Sequence, residues 1–190
     1  YPFSMENLLP QFLQNIADAI EAENLDLLLT QVPNIDPFLK SIMDFPVLER
    51  VKKIRTWMKN HPEILANIKN LKTNRLGLTI LPKEIQYFTG LQHLNLSGNF
   101  LMFLPNELKF LKQLETLDLS NNHLAVIPKE IESLTHLQVL NLAKNKLKAI
   151  PSGISLLSRL RVLDLSHNKI DSFPKTIAHL TQRVLGIFRS

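Results

Sequence analysis

From Leu91 onward the chain repeats itself every 23 residues, which confines it to architectures built by stacking one small unit on the next. The copies read LQHLNLSGNFLMFLPNELKFLKQ, LETLDLSNNHLAVIPKEIESLTH, LQVLNLAKNKLKAIPSGISLLSR and LRVLDLSHNKIDSFPKTIAHLTQ. An upstream copy, IKNLKTNRLGLTILPKEIQYFTG, keeps the register but carries Thr73 in place of an inward leucine and Leu76 in place of the asparagine. The shared frame is L-x-x-L-x-L-x-x-N-x-L. It sets five units at 68–90, 91–113, 114–136, 137–159 and 160–182.

Each unit must form a short strand, turn a corner and return. In the 114–136 copy, Leu117 and Leu119 alternate with Thr116, Asp118 and Ser120, so one strand face is apolar and the other polar. Asn122 and its equivalents Asn99, Asn145 and Asn168 stand where the chain leaves the strand, and an amide there can satisfy backbone groups that the corner leaves unpaired. Pro128-Lys129-Glu130 suits a first helical turn, predicting a short helix or 3₁₀ segment on the outer side. The pattern is that of leucine-rich repeats, and it resembles their 23-residue bacterial and plant class through the motifs Leu81–Ile85 (LPKEI) and Ile127–Ile131 (IPKEI). The resemblance implies an α/β solenoid with parallel strands on the concave face.

Such units cannot bury their apolar faces alone, so neighbours must stack and ends must be covered. The degenerate first repeat is what a unit abutting another structure requires. Residues 1–67 carry 6 Lys/Arg against 9 Asp/Glu, a balance of −3, whereas 68–190 carry 16 against 8, a balance of +8. That shift marks a boundary near Ile68. The first third reads as a helical cap. Leu8, Leu9, Phe12, Ile16, Ala19 and Ile20 recur at helical spacing, and the prolines of Thr30–Pro37 break the pattern. A short segment over Phe38–Phe45 follows, then a helix opened by Pro46 and running to about Asn60, with an apolar stripe of Val47, Val51, Ile54, Trp57 and Met58. Residues 183–190 do not restart the 23-residue frame and are read as an end or cap.

Composition excludes several classes of chemistry. The chain has no cysteine, which removes disulfides, thiolate metal sites and cysteine catalysis and fits a reducing, cytoplasmic setting. No run of about 20 apolar residues is long enough to span a bilayer. No basic stretch followed by an apolar core opens the chain as a secretory signal would. The six histidines fall at different repeat positions without metal-ligand spacing, and no phosphate-cradling glycine loop occurs, so neither metal nor cofactor is expected. His93, Asp118 and Ser97 supply triad residue types, but no oxyanion-donating turn accompanies them. An enzyme is not expected.

Stacked parallel strands expose their outward residues in columns. These run Asn70, His93, Thr116, Val139, Val162, then Lys72, Asn95, Asp118, Asn141, Asp164. Beyond the ladder asparagine the series are Gly77, Phe100, His123, Lys146, Lys169, then Thr79, Met102, Ala125, Lys148, Asp171, then Ile80, Phe103, Val126, Ala149, Ser172. Early repeats therefore place Phe100, Met102 and Phe103 on one loop edge, and later ones place Lys144, Lys146, Lys148 and Lys169 on it. A scaffold requires no such gradient, and aromatics with methionine beside lysines suit an acidic, apolar protein segment. The candidate partner-binding residues are His93, Asn95, Thr116 and Asp118 on the strands, and Phe100, Met102, Phe103, His123, Lys144, Lys146, Lys148 and Lys169 on the edge. The competing reading has Phe103 turned inward, Phe100 packed on the neighbouring loop and the lysines serving solubility.

The segment Ile54-Arg55-Thr56-Trp57, followed by His61-Pro62-Glu63-Ile64-Leu65 and the first repeat, is similar to the approach to the repeats in leucine-rich-repeat effectors that bacteria deliver into eukaryotic cells. That resemblance implies an interaction module, translocated to the host cytoplasm, that binds a eukaryotic protein; a monomer is expected. The cysteine-dependent ubiquitin ligase domain of some such effectors has no counterpart here. Leu9-Pro10, Leu13, Ile16 and Leu25-Asp26-Leu27 resemble the start of an F-box, but the later Cys and Trp spacing is missing. This leaves recruitment of a Skp-type scaffold as the alternative. Nucleic-acid or anionic-membrane binding through the +8 half is a second alternative, and its lysines lack interleaved aromatics in their own repeats.

Overall fold

The computed structural model describes residues 24, 36–42, 44–176 and 186–188. The expected helical stripe between Met5 and Leu29 and the F-box-like positions lie outside the described residues, apart from Asn24. Among the described residues, the helices α1 (Asp36–Ile42), α2 (Val47–Asn60) and α3 (Pro62–Ala66) precede the strands β1 (Asn70–Lys72), β2 (His93–Asn95), β3 (Thr116–Asp118), β4 (Val139–Asn141), β5 (Val162–Asp164) and β6 (Gly186–Phe188). The strands form one parallel sheet in sequence order. Each is only three residues long because the repeat must turn twice within its period. Pro37, expected to belong to a break, instead stands in the first turn of α1, where its fixed φ and missing N–H are tolerated.

The register follows the repeat frame. Leu71 pairs with Leu94, Leu94 with Leu117, Leu117 with Leu140 and Leu140 with Leu163. The last pairing, Val162 with Gly186, is one residue longer than the preceding Val139 with Val162, so residues 186–188 extend the ladder one position out of the repeat frame. Pro82, Pro105, Pro128 and Pro151 sit extended just before the five-residue 3₁₀ turns Lys83–Tyr87, Asn106–Phe110, Lys129–Ser133 and Ser152–Leu156. Ile85, Leu108, Ile131 and Ile154 on those turns meet the strand leucines across the solenoid, all fully buried. Burying each such side chain contributes roughly 1.5–3 kcal/mol.

The corner asparagines join one repeat to the next, in a fixed direction. The Nδ2 of Asn122 donates to Leu119 O and, one repeat back, to Leu96 O, both at 3.0 Å. Its Oδ1 accepts the Leu101 N–H at 3.0 Å. Asn99, Asn145 and Asn168 repeat the arrangement. Because the bonds reach backward, the first repeat has no earlier corner to serve, and the Thr73 carbonyl near Leu76 is met by Asn99 Nδ2 at 2.9 Å. Thr73 is fully buried in the leucine's place and directs its hydroxyl to Asn95 O at 3.2 Å.

The helices close the open end of the core. Val51, Ile54 and Met58 of α2 and Leu65 of α3 join the same buried cluster as Phe88 and Leu91. A charged contact crosses this junction. Arg55 Nε donates to Glu84 Oε1 at 2.8 Å, with the Glu84 side chain 4% exposed and that of Arg55 32%. Glu84 Oε2 is buried with no hydrogen-bond partner among the described residues. Removing the arginine strands a buried carboxylate, so Arg55→Ala is expected to cost about 2 kcal/mol in urea unfolding, discounted for the exposed arginine. The double variant Arg55→Met/Glu84→Met should recover most of that loss. A single variant as stable as wild type would show that the pair does not hold the cap.

Candidate partner-binding surface

The sequence-derived site residues occupy two adjoining surfaces. His93, Asn95, Thr116 and Asp118 lie on the strand face, around a shallow hollow of about 410 Å³. Asn95 and Asp118 have structural duties there. Asn95 Oδ1 accepts the Ser97 N–H at 3.0 Å and the Ser97 hydroxyl at 2.7 Å, and Asp118 Oδ1 accepts the Ser120 N–H at 2.9 Å. Asn141 and Asp164 bond Ala143 and Ser166 in the same way. This column ends each strand with a local side-chain turn, which is why the repeat favours Asn or Asp there. His93 Nδ1 lies 2.7 Å from Thr116 Oγ1. Each of the three residues thus has a partner outside the set: Thr116 for His93, Asn95 for Ser97 and the Ser120 amide for Asp118.

The loop edge is different. Backbone N–H groups of Phe100, His123, Lys146 and Lys169 donate to Leu78, Leu101, Leu124 and Leu147 carbonyls at 2.8–2.9 Å, stacking these four residues in one row. Phe100 is 54% exposed, Met102 65%, Phe103 58% and Val126 67%. Phe103 therefore points outward. Phe100 does pack on the neighbouring loop, its ring centroid 5.9 Å from that of His123, yet it stays open to solvent. Val126 follows Phe103 in the same row and extends the apolar patch by one repeat. Its place in that row was readable from the sequence, but valine is ordinary enough at such a position to pass unnoticed.

Lys144, Lys146, Lys148 and Lys169 are all exposed in the two repeats beyond. Lys144 stands in a left-handed conformation at φ 55°, in a row with Arg75, Gly98, Asn121 and His167. Gly98 and Asn121 are the residue types that geometry favours, and a lysine there is strained by about 1 kcal/mol. Its amide bond to Ser166 O at 2.9 Å, repeated for Asn121 to Ala143 O, holds the conformation.

Asn24 has no signal in the repeat frame. It is buried, its Oδ1 accepting the N–H groups of Thr79 and Ile80 at 2.9 and 3.2 Å and its Nδ2 donating to Thr79 Oγ1 at 3.2 Å. It bonds the first repeat at the start of the loop edge. Among the described residues no helix is long and apolar enough to cross a membrane.

Comparisons with known proteins agree with this geometry. Two sequence models described as leucine rich repeat match the chain, one at 90–111 and the other at 112–170 and 135–182. A solved Leptospira interrogans LRR protein is similar at 41% identity and a TM-score of 0.60, over 66% of this chain and 32% of that one. The BIR3–SERK2 complex of Arabidopsis thaliana contains a chain similar at 34% identity and a TM-score of 0.54, over 63% of this chain and 66% of that one. The plant peptide hormone receptor RGFR1, solved in complex with RGF2, matches at 34% identity and a TM-score of 0.54, over 64% of this chain and 24% of its own. The chain thus spans about a third of the Leptospira protein's length and less than two thirds of either plant chain. A search of curated proteins finds no match.

Proposed function

We propose that this leucine-rich repeat protein is a non-catalytic interaction module that grips an acidic, apolar segment of another protein along its loop edge. The observation that carries the reading is the exposed quartet Phe100, Met102, Phe103 and Val126, set beside Lys144, Lys146, Lys148 and Lys169 on an edge whose scaffold needs none of them. Exposed aromatics and methionine supply desolvation energy, and lysines accelerate encounter with an acidic partner. The likeness of RGFR1, solved with RGF2, supports a peptide-sized partner. The likeness to a Leptospira interrogans protein, together with the Ile54–Leu65 segment, supports a bacterial effector acting on a eukaryotic host protein.

Affinity capture from eukaryotic lysate, comparing wild type with edge variants, tests this. Phe100→Ala/Phe103→Ala should weaken the complex at least thirtyfold, on the order of 2 kcal/mol for a central aromatic pair. Lys146→Glu/Lys148→Glu should mainly slow association and flatten its salt dependence. Undiminished recovery by folded variants of both kinds overturns the reading.

A further inference from the structure

The helical cap carries a second surface that neither core closure nor the loop edge explains. Trp57, the one tryptophan in the chain, lies beside the inward line of Val51, Ile54 and Met58 and remains half-buried. Its indole stacks with Phe38, at 5.2 Å and 23°, and with His61, at 4.6 Å and 21°. His61 Nδ1 is 2.7 Å from the Trp57 carbonyl oxygen. A carbonyl only accepts, so Nδ1 carries a proton and donates it. The stack walls an open hollow of about 690 Å³ that continues over Phe45, Lys52 and Lys53. Phe45 is exposed, and the Lys53 ammonium sits 4.1 Å from its ring centroid.

The charge at this hollow runs against that of its surroundings. Residues 1–67 carry a net −3, yet the described lining holds two lysines and no carboxylate. An aromatic floor alone would take any apolar group. With both cations in the lining, rings and lysines together select an apolar group attached to an anionic one. The size falls within the range of ligand sites, and the open form suits a chain segment laid across it.

We propose that the Phe38–Trp57–His61 hollow is a second docking site, which takes an acidic peptide segment inserting a large apolar side chain between Trp57 and Phe45 while its carboxylates meet Lys52 and Lys53. The chain then holds two separate basic-apolar surfaces, one on the cap and one on the repeats.

Trp57 emission in the full chain reads this site directly. The probe is a twelve-residue peptide alternating Asp and Glu with Phe and Leu. Two control peptides replace its acids by Lys or its apolar residues by Ser. Only the acidic, apolar peptide should give a saturable change, weakened about tenfold by Lys52→Glu/Lys53→Glu and comparably by raising salt from about 50 to about 500 mM. Lys52→Gln/Lys53→Gln should show an intermediate loss, and far-UV circular dichroism confirms that the variants fold. Phe100→Ala/Phe103→Ala should bind the probe as wild type does, so failure of the loop-edge reading and failure of this one are distinguishable. Equal binding of the Lys or the Ser peptide, or unweakened binding by folded lysine variants, overturns the proposal. Emission that changes with protein concentration and not with peptide also overturns it, assigning the hollow to a second copy.

Discussion

Asn99→Ala is expected to lower stability by about 4 kcal/mol, the largest loss from any single side-chain truncation argued for this chain. The side chain is 2% exposed and serves five backbone groups at once, the weakest being Ser97 O at 3.5 Å. Its Oδ1 accepts the Leu76 and Leu78 N–H groups at 3.1 and 3.0 Å, and its Nδ2 donates to Thr73 O and Leu96 O at 2.9 and 2.8 Å. Each stranded N–H costs about 1–3 kcal/mol, and each carbonyl less, because its second lone pair keeps some freedom. At 190 residues the loss corresponds to a fall in melting temperature of about 10 °C. Asn168→Ala, at a half-buried corner where water can substitute, should cost about 1–2 kcal/mol. The order of the two effects is the sharper test. Equal losses would mean that the amide acts through something other than buried backbone. Asn99 also joins the first repeat to the second, so its loss should uncouple the cap. Trp57 emission should then change at lower urea concentration than the far-UV signal of the remaining repeats.

How much of this was legible without coordinates depends on whether a contact obeys the period. The strand leucines, the corner asparagines and the columns of exposed residues all sit at fixed offsets, so laying copies over one another places them correctly. The helix opened by Pro46 was also readable, because its apolar stripe recurs at helical spacing. Contacts that break the period were not. Glu84 and Glu130 stand in the same Lys-Glu-Ile motif, yet only Glu84 is buried against Arg55. What separates them is the neighbour outside the solenoid, brought close by folding over 29 residues of chain. Asn24 reaches Thr79 across 55 residues and leaves no trace in either local pattern. Strand β6 hides because its pairing is one residue longer than the frame that found the others.

At the candidate site the same distinction applies. The outward position of Asn95 and Asp118 followed from alternation, but their role as strand-ending acceptors required seeing that the amide two residues on comes within 3.0 and 2.9 Å. A polar column therefore reads alike whether it waits for a partner or serves its own backbone. The Phe100 and Phe103 question was open for a related reason. An aromatic one residue outside the consensus can turn either way, and only the packing of the neighbouring loop decides it.

Gly90→Ala should cost about 3 kcal/mol and act on the cap alone, because of what lies next to the missing side chain. A Cβ at Gly90 would run into the Ala66 carbonyl oxygen and lie 3.1 Å from its carbon. It would also meet Lys69 Nζ at 2.9 Å, but that flexible end can swing away. The Ala66 carbonyl belongs to the backbone at the end of α3, so relief requires the helix to lift off the first repeat. The equivalent positions Gln113, His136 and Arg159 carry full side chains, and among the described residues no helix presses on those repeats. Gly153→Ala is the matched control. There the new methyl meets the Glu132 side chain, at Oε2 and, 3.0 Å away, at Cβ, on an exposed residue whose carboxylate can rotate out. That change should cost less than about 1 kcal/mol. Hydrogen exchange separates the mechanisms. In Gly90→Ala, amides of Val51–Met58 should lose protection while those around Leu140 and Leu163 keep it. A uniform loss across the sheet, or equal effects from the two glycine variants, would show that the cap does not rest on the close approach of Ala66 to Gly90.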